Sequence, residues 1–277
     1  MNKIINGNEI KEKKLKEYKE IIKSINDKLT LAVIQVGNDP ASDIYIKNKE
    51  KTCKEVGINF KHLKYESIKE EELISKIKQL NIDKSVTGIL VQLPLPDSIN
   101  KEKVINAIDP LKDVDGLSKT NIDKLNNNEE GLIPCTALGV IEILKHLNID
   151  LKNKSVAVMG RSMLVGYPVS KLLEYEEANV NVCHSKTINT KDITQKADIL
   201  IVAIGKSKLV DSSFVKDGAV VIDVGINRDN GKLTGDCDFD DIYDKCLYIT
   251  PVPGGVGPLT ITMLINNVIK AYKLQNK

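Results

Sequence analysis

Short apolar, β-branched runs recur along this chain at intervals that leave room for a helix between them, and that alternation is its strongest constraint on fold. Leu31-Ala-Val-Ile-Gln-Val36 has the length of a buried strand and is ended by Gly37. Asp39 then offers a side-chain cap, Pro40 suits a first helical turn, and Gly57 is a stop. A second step follows, with a helical stretch near Glu70–Leu80 and strand-like Val86–Val91 running into Gln92-Leu-Pro-Leu-Pro96, where the prolines force the chain out of a sheet. Later strand candidates are Ser155–Met159, Asn179–Cys183, Ile199–Ile204, Ala219–Val224 and Leu247–Thr250. Amphipathic stretches near residues 9–26 and 137–147 complete the helical expectation. The pattern predicts an α/β protein with parallel sheets covered by helices on both faces. Between Asp109 and Pro134 the texture turns polar, with Asp113-Val-Asp-Gly116 and an Asn126–Asn128 run, so a boundary is expected there. That gives two α/β domains, residues 1–118 and 119–277, the second Rossmann-like.

Composition removes several classes of function. With 40 basic against 38 acidic residues spread along the chain, net charge is +2, which leaves no footprint for nucleic acid. Met1–Leu15 mixes apolar, polar and charged residues, and no later segment approaches the roughly 20 apolar residues of a membrane span. A cytoplasmic protein without nucleic-acid or membrane partners is expected. Cys53, Cys135, Cys183, Cys237 and Cys246 form no Cys-x-x-Cys pair and read as small buried hydrophobes. His62, His146 and His184 have no metal-ligand spacing, so no metal is expected. Of the 40 basic residues only Arg161 and Arg228 are arginine, so arginine persists where its planar fork has a use that lysine does not meet.

Val156-Ala-Val-Met-Gly160-Arg-Ser162-Met-Leu-Val165-Gly166 reads as a strand, a tight glycine turn and a helix start, the setting in which a glycine motif cradles a pyrophosphate. Ser162 stands where the second glycine of the usual dinucleotide pattern would be. An NAD site would place an acid at the end of the next strand to hold the ribose diol. Cys183-His184-Ser185-Lys186-Thr187 has none there, and a hydroxyl with a cation suits the extra phosphate of NADP, for which Arg161 supplies a bidentate partner. The alternative is an ordinary polar strand end.

Ser42, Tyr45 and Lys49 are spaced three and four apart on the helix after the first strand, so they are expected to share one face at the ligand-binding edge of an open sheet. A partly desolvated lysine loses its proton more readily and can carry protons in catalysis; the alternative is a solvated helix face. Gln92 and Asp115 would face the same edge, an amide to hold a substrate oxygen and a carboxylate to accept paired N–H groups from a heterocycle; the alternative for either is a turn residue bonding its own backbone. Thr250-Pro-Val-Pro-Gly-Gly-Val-Gly-Pro-Leu-Thr260 is too rich in glycine and proline for regular structure and reads as a shaped loop before a last helix.

Ala41–Lys49, Gly88–Pro96, Lys112–Gly116, Gly160-Arg-Ser162 and Pro251–Pro258 together resemble the methylenetetrahydrofolate dehydrogenase/methenyltetrahydrofolate cyclohydrolase family over nearly the whole chain. The resemblance implies folate chemistry in the first half, the dinucleotide in the second, and a last helix, about 258–277, packing back on the first domain. It implies Lys49 as the key catalytic lysine, Tyr45 positioning the folate, Gln92 supporting Lys49 and Asp115 holding the pterin. Gly160, Arg161, Ser162, Ser185 and Ile226 fall where the family meets NADP, and the family is typically a homodimer. The implied reaction is oxidation of 5,10-methylenetetrahydrofolate with NADP, then hydrolysis to 10-formyltetrahydrofolate in the same cleft. Ala137 departs from the pattern, since a second proline usually follows Pro134-Cys-Thr136. Rival readings are a member with one of the two activities and a non-catalytic dinucleotide sensor. A short-chain dehydrogenase also pairs Tyr with Lys, but after its nucleotide glycines, whereas Tyr45 and Lys49 precede Gly160.

Overall fold

The computed structural model describes residues 3–229 and 231–277; Met1 and Asn2, which head the stretch read for a leader, and Asn230 lie outside the described residues. The chain forms two compact units, one of residues 13–135 with 261–277, the other of residues 1–12 with 136–260. It passes between them inside α1 (Gly7–Lys23), at Cys135–Thr136 and inside α10 (Gly257–Gln275).

The first unit is built on β1 (Thr30–Val36), β2 (Asn59–Tyr65) and β3 (Gly88–Val91), in the order β2-β1-β3 and parallel throughout. Between β1 and β2 runs α2 (Pro40–Val56), whose ends follow the expected signals: the Asp39 carboxylate accepts the Ser42 amide at 2.8 Å, and Gly57 closes the helix in the left-handed region. α3 (Glu70–Ile82) leads to β3, and α4 (Lys101–Asn106) and α5 (Lys119–Asn126) follow. Ala32, Ile34, Ile89 and Val91 pack with Leu73 and Ile77 of α3 in one core.

Strand β2 was not among the expected strands. Lys61, His62 and Lys64 are exposed along this edge strand, so apolar content gives it little signal. The expected boundary at residue 118 also differs from the observed crossing at Cys135–Thr136. The polar stretch is ordered by a buried hub: Asp113 accepts the amides of Gly116 at 3.1 Å and Ser118 at 2.8 Å, and the Asn121 side chain at 3.0 Å. Lys112, also buried, donates to the carbonyls of Leu80 and Asp83 at the end of α3.

The second unit has a parallel sheet in the order β10-β7-β6-β4-β5, made of β4 (Ser155–Met159), β5 (Asn179–Cys183), β6 (Ile199–Val202), β7 (Val220–Asp223) and β10 (Tyr248–Ile249). Alternate strand residues enter different cores: Val156, Val158, Ile199 and Ile201 pack with α6 (Cys135–His146) and α7 (Gly166–Tyr175), while Ala157, Met159, Leu200 and Val202 pack with Ile242 of α9 (Phe239–Ile242). Both faces of the sheet are therefore covered, the condition under which parallel strands read as continuous apolar runs. α8 (Thr190–Thr194) precedes β6, and β8 (Asn227–Asp229) with β9 (Lys232–Thr234) forms an antiparallel hairpin after β7. Ala137, the departure from the family pattern, is a fully buried residue of α6.

Ile201 is fully buried in β6, whereas Ile188 is 82% exposed. Ile201→Ala is expected to cost about 2–5 kcal/mol in urea unfolding, and Ile188→Ala no more than about 0.5 kcal/mol.

Candidate active site

In each of the two parallel sheets the chain leaves a central strand for one neighbour and then jumps back to the other side, and the strand ends part at that switch. In the first unit the switch lies between β1 and β3. Gln92 follows β3 directly, its amide bonded to the Ile34 carbonyl of β1 at 2.8 Å. The Gln92 side chain accepts the Lys49 Nζ at 2.7 Å and donates to the Leu93 carbonyl at 2.7 Å, so its orientation is fixed from both ends.

Lys49 is half-buried in the third turn of α2. Desolvation holds its ammonium below the usual lysine range, and the neighbouring Asp115 partly offsets this. Asp115 moves the other way, its carboxyl raised by burial and lowered in smaller part by Lys49. Two buried thiols border the pair: burial pushes Cys53 up to about 12 and Cys135 well above the usual thiol range, so both stay protonated. Cys135 donates to the Val114 carbonyl at 3.3 Å, next to Asp115.

Lys49, Gln92 and Asp115 are thus brought together. Tyr45 lies one turn earlier on α2, 43% exposed, with no hydrogen bond to any of the three among the described residues. Ser42 is not presented for chemistry. It is buried, and its hydroxyl donates to Asp39 at 2.7 Å as part of the α2 cap. The cysteine beside Asp115 escaped the sequence reading, which took it for packing alone. So did Asn267 of α10, fully buried, which donates to the carbonyls of Val114 at 2.9 Å and Ile133 at 2.8 Å. No sequence spacing links residue 267 to residue 115.

In the second unit the switch lies between β4 and β6, and Gly160 sits on it. Its φ of +114° and its approach to the Ala203 carbonyl, 2.1 Å from where a Cβ would stand, leave room only for glycine. The Gly160 amide bonds the Cys183 carbonyl at 2.8 Å, which sets the loops after β4 and β5 side by side. Arg161 and Ser162 are exposed on the first of these loops. On the second, His184 and Thr187 close a turn through the Thr187 amide at 2.8 Å and the Thr187 hydroxyl at 2.9 Å, leaving Ser185 and Lys186 exposed at its tip. Ile226, 51% exposed, follows β7. A narrow backbone turn beside exposed arginine, serine and lysine, with no carboxylate at the end of β5, fits a phosphate-bearing dinucleotide. Among the described residues no group of three His, Cys, Asp or Glu side chains is arranged for a metal, and no helix is long and apolar enough to cross a membrane.

A doubly covered parallel sheet with a glycine turn at its switch point defines a Rossmann-type nucleotide-binding protein. Two family models match the chain: the tetrahydrofolate dehydrogenase/cyclohydrolase catalytic domain over residues 5–115 and the NAD(P)-binding domain of the same family over residues 134–276. The chain belongs to the tetrahydrofolate dehydrogenase/cyclohydrolase family. It is 52% identical to the bifunctional protein FolD of Agathobacter rectalis, over 99% of this chain and 100% of that one. Among solved structures it resembles the bifunctional FolD methylenetetrahydrofolate dehydrogenase/cyclohydrolase of Campylobacter jejuni, with TM-score 0.94 and 46% identity over 98% and 99% of the two chains. It also resembles the Trypanosoma brucei enzyme solved with NADP and an inhibitor, with TM-score 0.92 and 33% identity over 99% and 98%.

Gly160→Ala is expected to weaken dinucleotide binding roughly tenfold or more, read by fluorescence titration with NADPH, because a Cβ there strains the turn or spreads β4 from β6.

Proposed function

We propose that this protein oxidises 5,10-methylenetetrahydrofolate with NADP and hydrolyses the methenyl product to 10-formyltetrahydrofolate. The observation that carries the reading is the Lys49–Gln92 hydrogen bond beside half-buried Asp115, a desolvated amine held at a sheet's switch point in the unit that matches the catalytic domain. Folate chemistry is assigned to the unit of residues 13–135 with 261–277, and the dinucleotide to the unit of residues 1–12 with 136–260.

NADP, held by the Gly160 turn with Arg161, Ser162, Ser185 and Ile226, supplies the acceptor for a hydride from the methylene carbon when bound. In the second step a water oxygen adds to the electrophilic methenyl carbon, and its proton passes to the neutral Lys49 amine. The C–N5 bond then breaks as N5 takes that proton back from Lys49 and the carbinolamine hydroxyl releases its own proton to water, so that its oxygen becomes the formyl oxygen on N10 and one proton is released overall. Gln92 keeps the Lys49 Nζ aimed by accepting from it, and its own amide is locked by the Leu93 carbonyl. Asp115, acid-bearing and desolvated, is assigned to the pterin N–H groups, and Tyr45, exposed one turn from Lys49, to the folate ring. A cytoplasmic homodimer completes the proposal and rests on the family resemblance.

Lys49→Met is expected to slow hydrolysis of 5,10-methenyltetrahydrofolate roughly 10²–10⁴-fold in an absorbance assay without dinucleotide; a wild-type rate would remove the role given to Lys49. Arg161→Ala should lower kcat/KM with NADP by roughly 10–100-fold and leave NAD nearly unaffected, and unchanged selectivity would sink the phosphate assignment. The hydrolysis rate should rise with pH as Lys49 loses its proton. Asp115 stabilises the charged amine, so Asp115→Asn lowers the Lys49 pKa further and moves that inflection to lower pH. A pH–rate profile of residual activity reads it, and movement to higher pH would contradict the pairing.

A further inference from the structure

Two buried carboxylates of the second unit have no part in the chemistry above. Asp223, at the end of β7, is 3% exposed, and Asp236, after β9, is fully buried. Neither has a cation partner among the described residues; N–H groups supply the bonds to Asp236, and backbone amides with the Cys237 thiol supply those to Asp223. Asp236 accepts the backbone amides of Ile204 at 2.7 Å, Gly205 at 2.9 Å and Lys206 at 2.8 Å, together with the Asn227 side chain at 2.8 Å. Asp223 accepts the amides of Gly225 at 2.9 Å, Asp236 at 3.0 Å and Cys237 at 2.8 Å. Burial still pushes Asp223 up to about 6, which shows how unfavourable an anion is at this place.

The bonds fall on the loop that borders the Gly160 turn and on the segment that follows β7. Ile204–Lys206 is the loop leaving β6, directly after Ala203, whose carbonyl faces Gly160. Ile226 lies between Gly225, tied to Asp223, and Asn227, tied to Asp236. The two carboxylates are linked through the Asp236 amide, so the loop after β6 and the segment after β7 hang from one frame. The frame is close-packed: a Cβ on Gly225 would stand 2.2 Å from the Asp236 carboxyl carbon, and one on Gly235 would stand 1.9 Å from an Asp223 oxygen. Three consecutive amides converging on one carboxylate leave the β6 loop no freedom to turn them elsewhere.

We propose that Asp236 is a positioning residue for the dinucleotide, fixing the loop after β6, which borders the Gly160 turn, together with the segment of Ile226 that is assigned to the same ligand. The proposal rests on the assignment of that turn to NADP. It separates from a general structural role because methenyl hydrolysis is assigned to Lys49 in the other unit and needs no dinucleotide.

The test is Asp236→Asn, which keeps the size of the side chain but sets an amide donor against the loop's own N–H groups. Dehydrogenase kinetics with varied NADP and varied 5,10-methylenetetrahydrofolate are compared with methenyl hydrolysis measured without dinucleotide. The KM for NADP is expected to rise about tenfold or more, with the KM for the folate and the hydrolysis rate held within about twofold. An unchanged KM for NADP in the folded variant overturns the proposal, and so does a parallel fall of both activities. Should Asp236→Asn fail to fold, Asn227→Ala removes one of the four bonds and leaves the carboxylate in place. Its KM for NADP should rise by a few fold, and a wild-type value overturns the proposal. A wild-type protein that neither binds nor reduces NADP overturns the assignment of the turn itself, a result distinct from wild-type binding with an indifferent variant.

Discussion

Parallel pairing of β1 with β3 and of β4 with β6 is the constraint on which the rest depends. Each pairing puts two carboxyl strand ends side by side while the chain departs from them in opposite directions, so backbone groups at the parting are left for something other than a sheet. In the first unit Gln92 and Lys49 occupy that parting; in the second it is Gly160 and the loop after β6. The burial that stabilises the sheets is the same burial that depresses the Lys49 ammonium and raises Asp115. Stability of the fold and the shifted acidities of Lys49 and Asp115 are thus two readings of one desolvated edge.

The site groups are held by neighbours that do no chemistry. Gln92 orients Lys49 and is itself pinned by the Leu93 carbonyl, on which the buried Ser42 hydroxyl also converges at 3.5 Å. Lys112 and Asp113, within the segment that carries Asp115, fasten it to the end of α3 and to α5. The motif Lys112–Gly116 therefore spends most of its side chains on placing one carboxylate.

What could be read from the sequence followed the reach of each interaction. Strands β4, β6 and β7 are buried on both faces and announce themselves as apolar runs, and the α2 cap is local enough to be spelled out by Asp39, Pro40 and Gly57. Strand β2 was missed because an edge strand with lysines on it lacks that signature. The segment from Asp109 to Pro134 looked like a linker because its polar residues were counted as solvated, whereas Asp113 and Asn121 are buried and bonded to one another. Lys49, Gln92 and Asp115 were legible one by one, and their meeting depends on register across β1 and β3. Asn267 and the Asp223–Asp236 frame were not legible, since most of their bonds go to backbone groups on other elements, which no local spacing marks.

The last helix adds a temporal consequence. Asn267 and Gln275 of α10 hold carbonyls at Val114, Ile133, Thr87 and Leu111, all in the unit whose strands are made earliest. As the chain leaves the ribosome, β1, β2 and β3 emerge before residues 136–260, and the carbonyls at Thr87, Leu111, Val114 and Ile133 meet their α10 donors only when residues 261–275 follow. The unit that carries Lys49 is thus begun first and finished last.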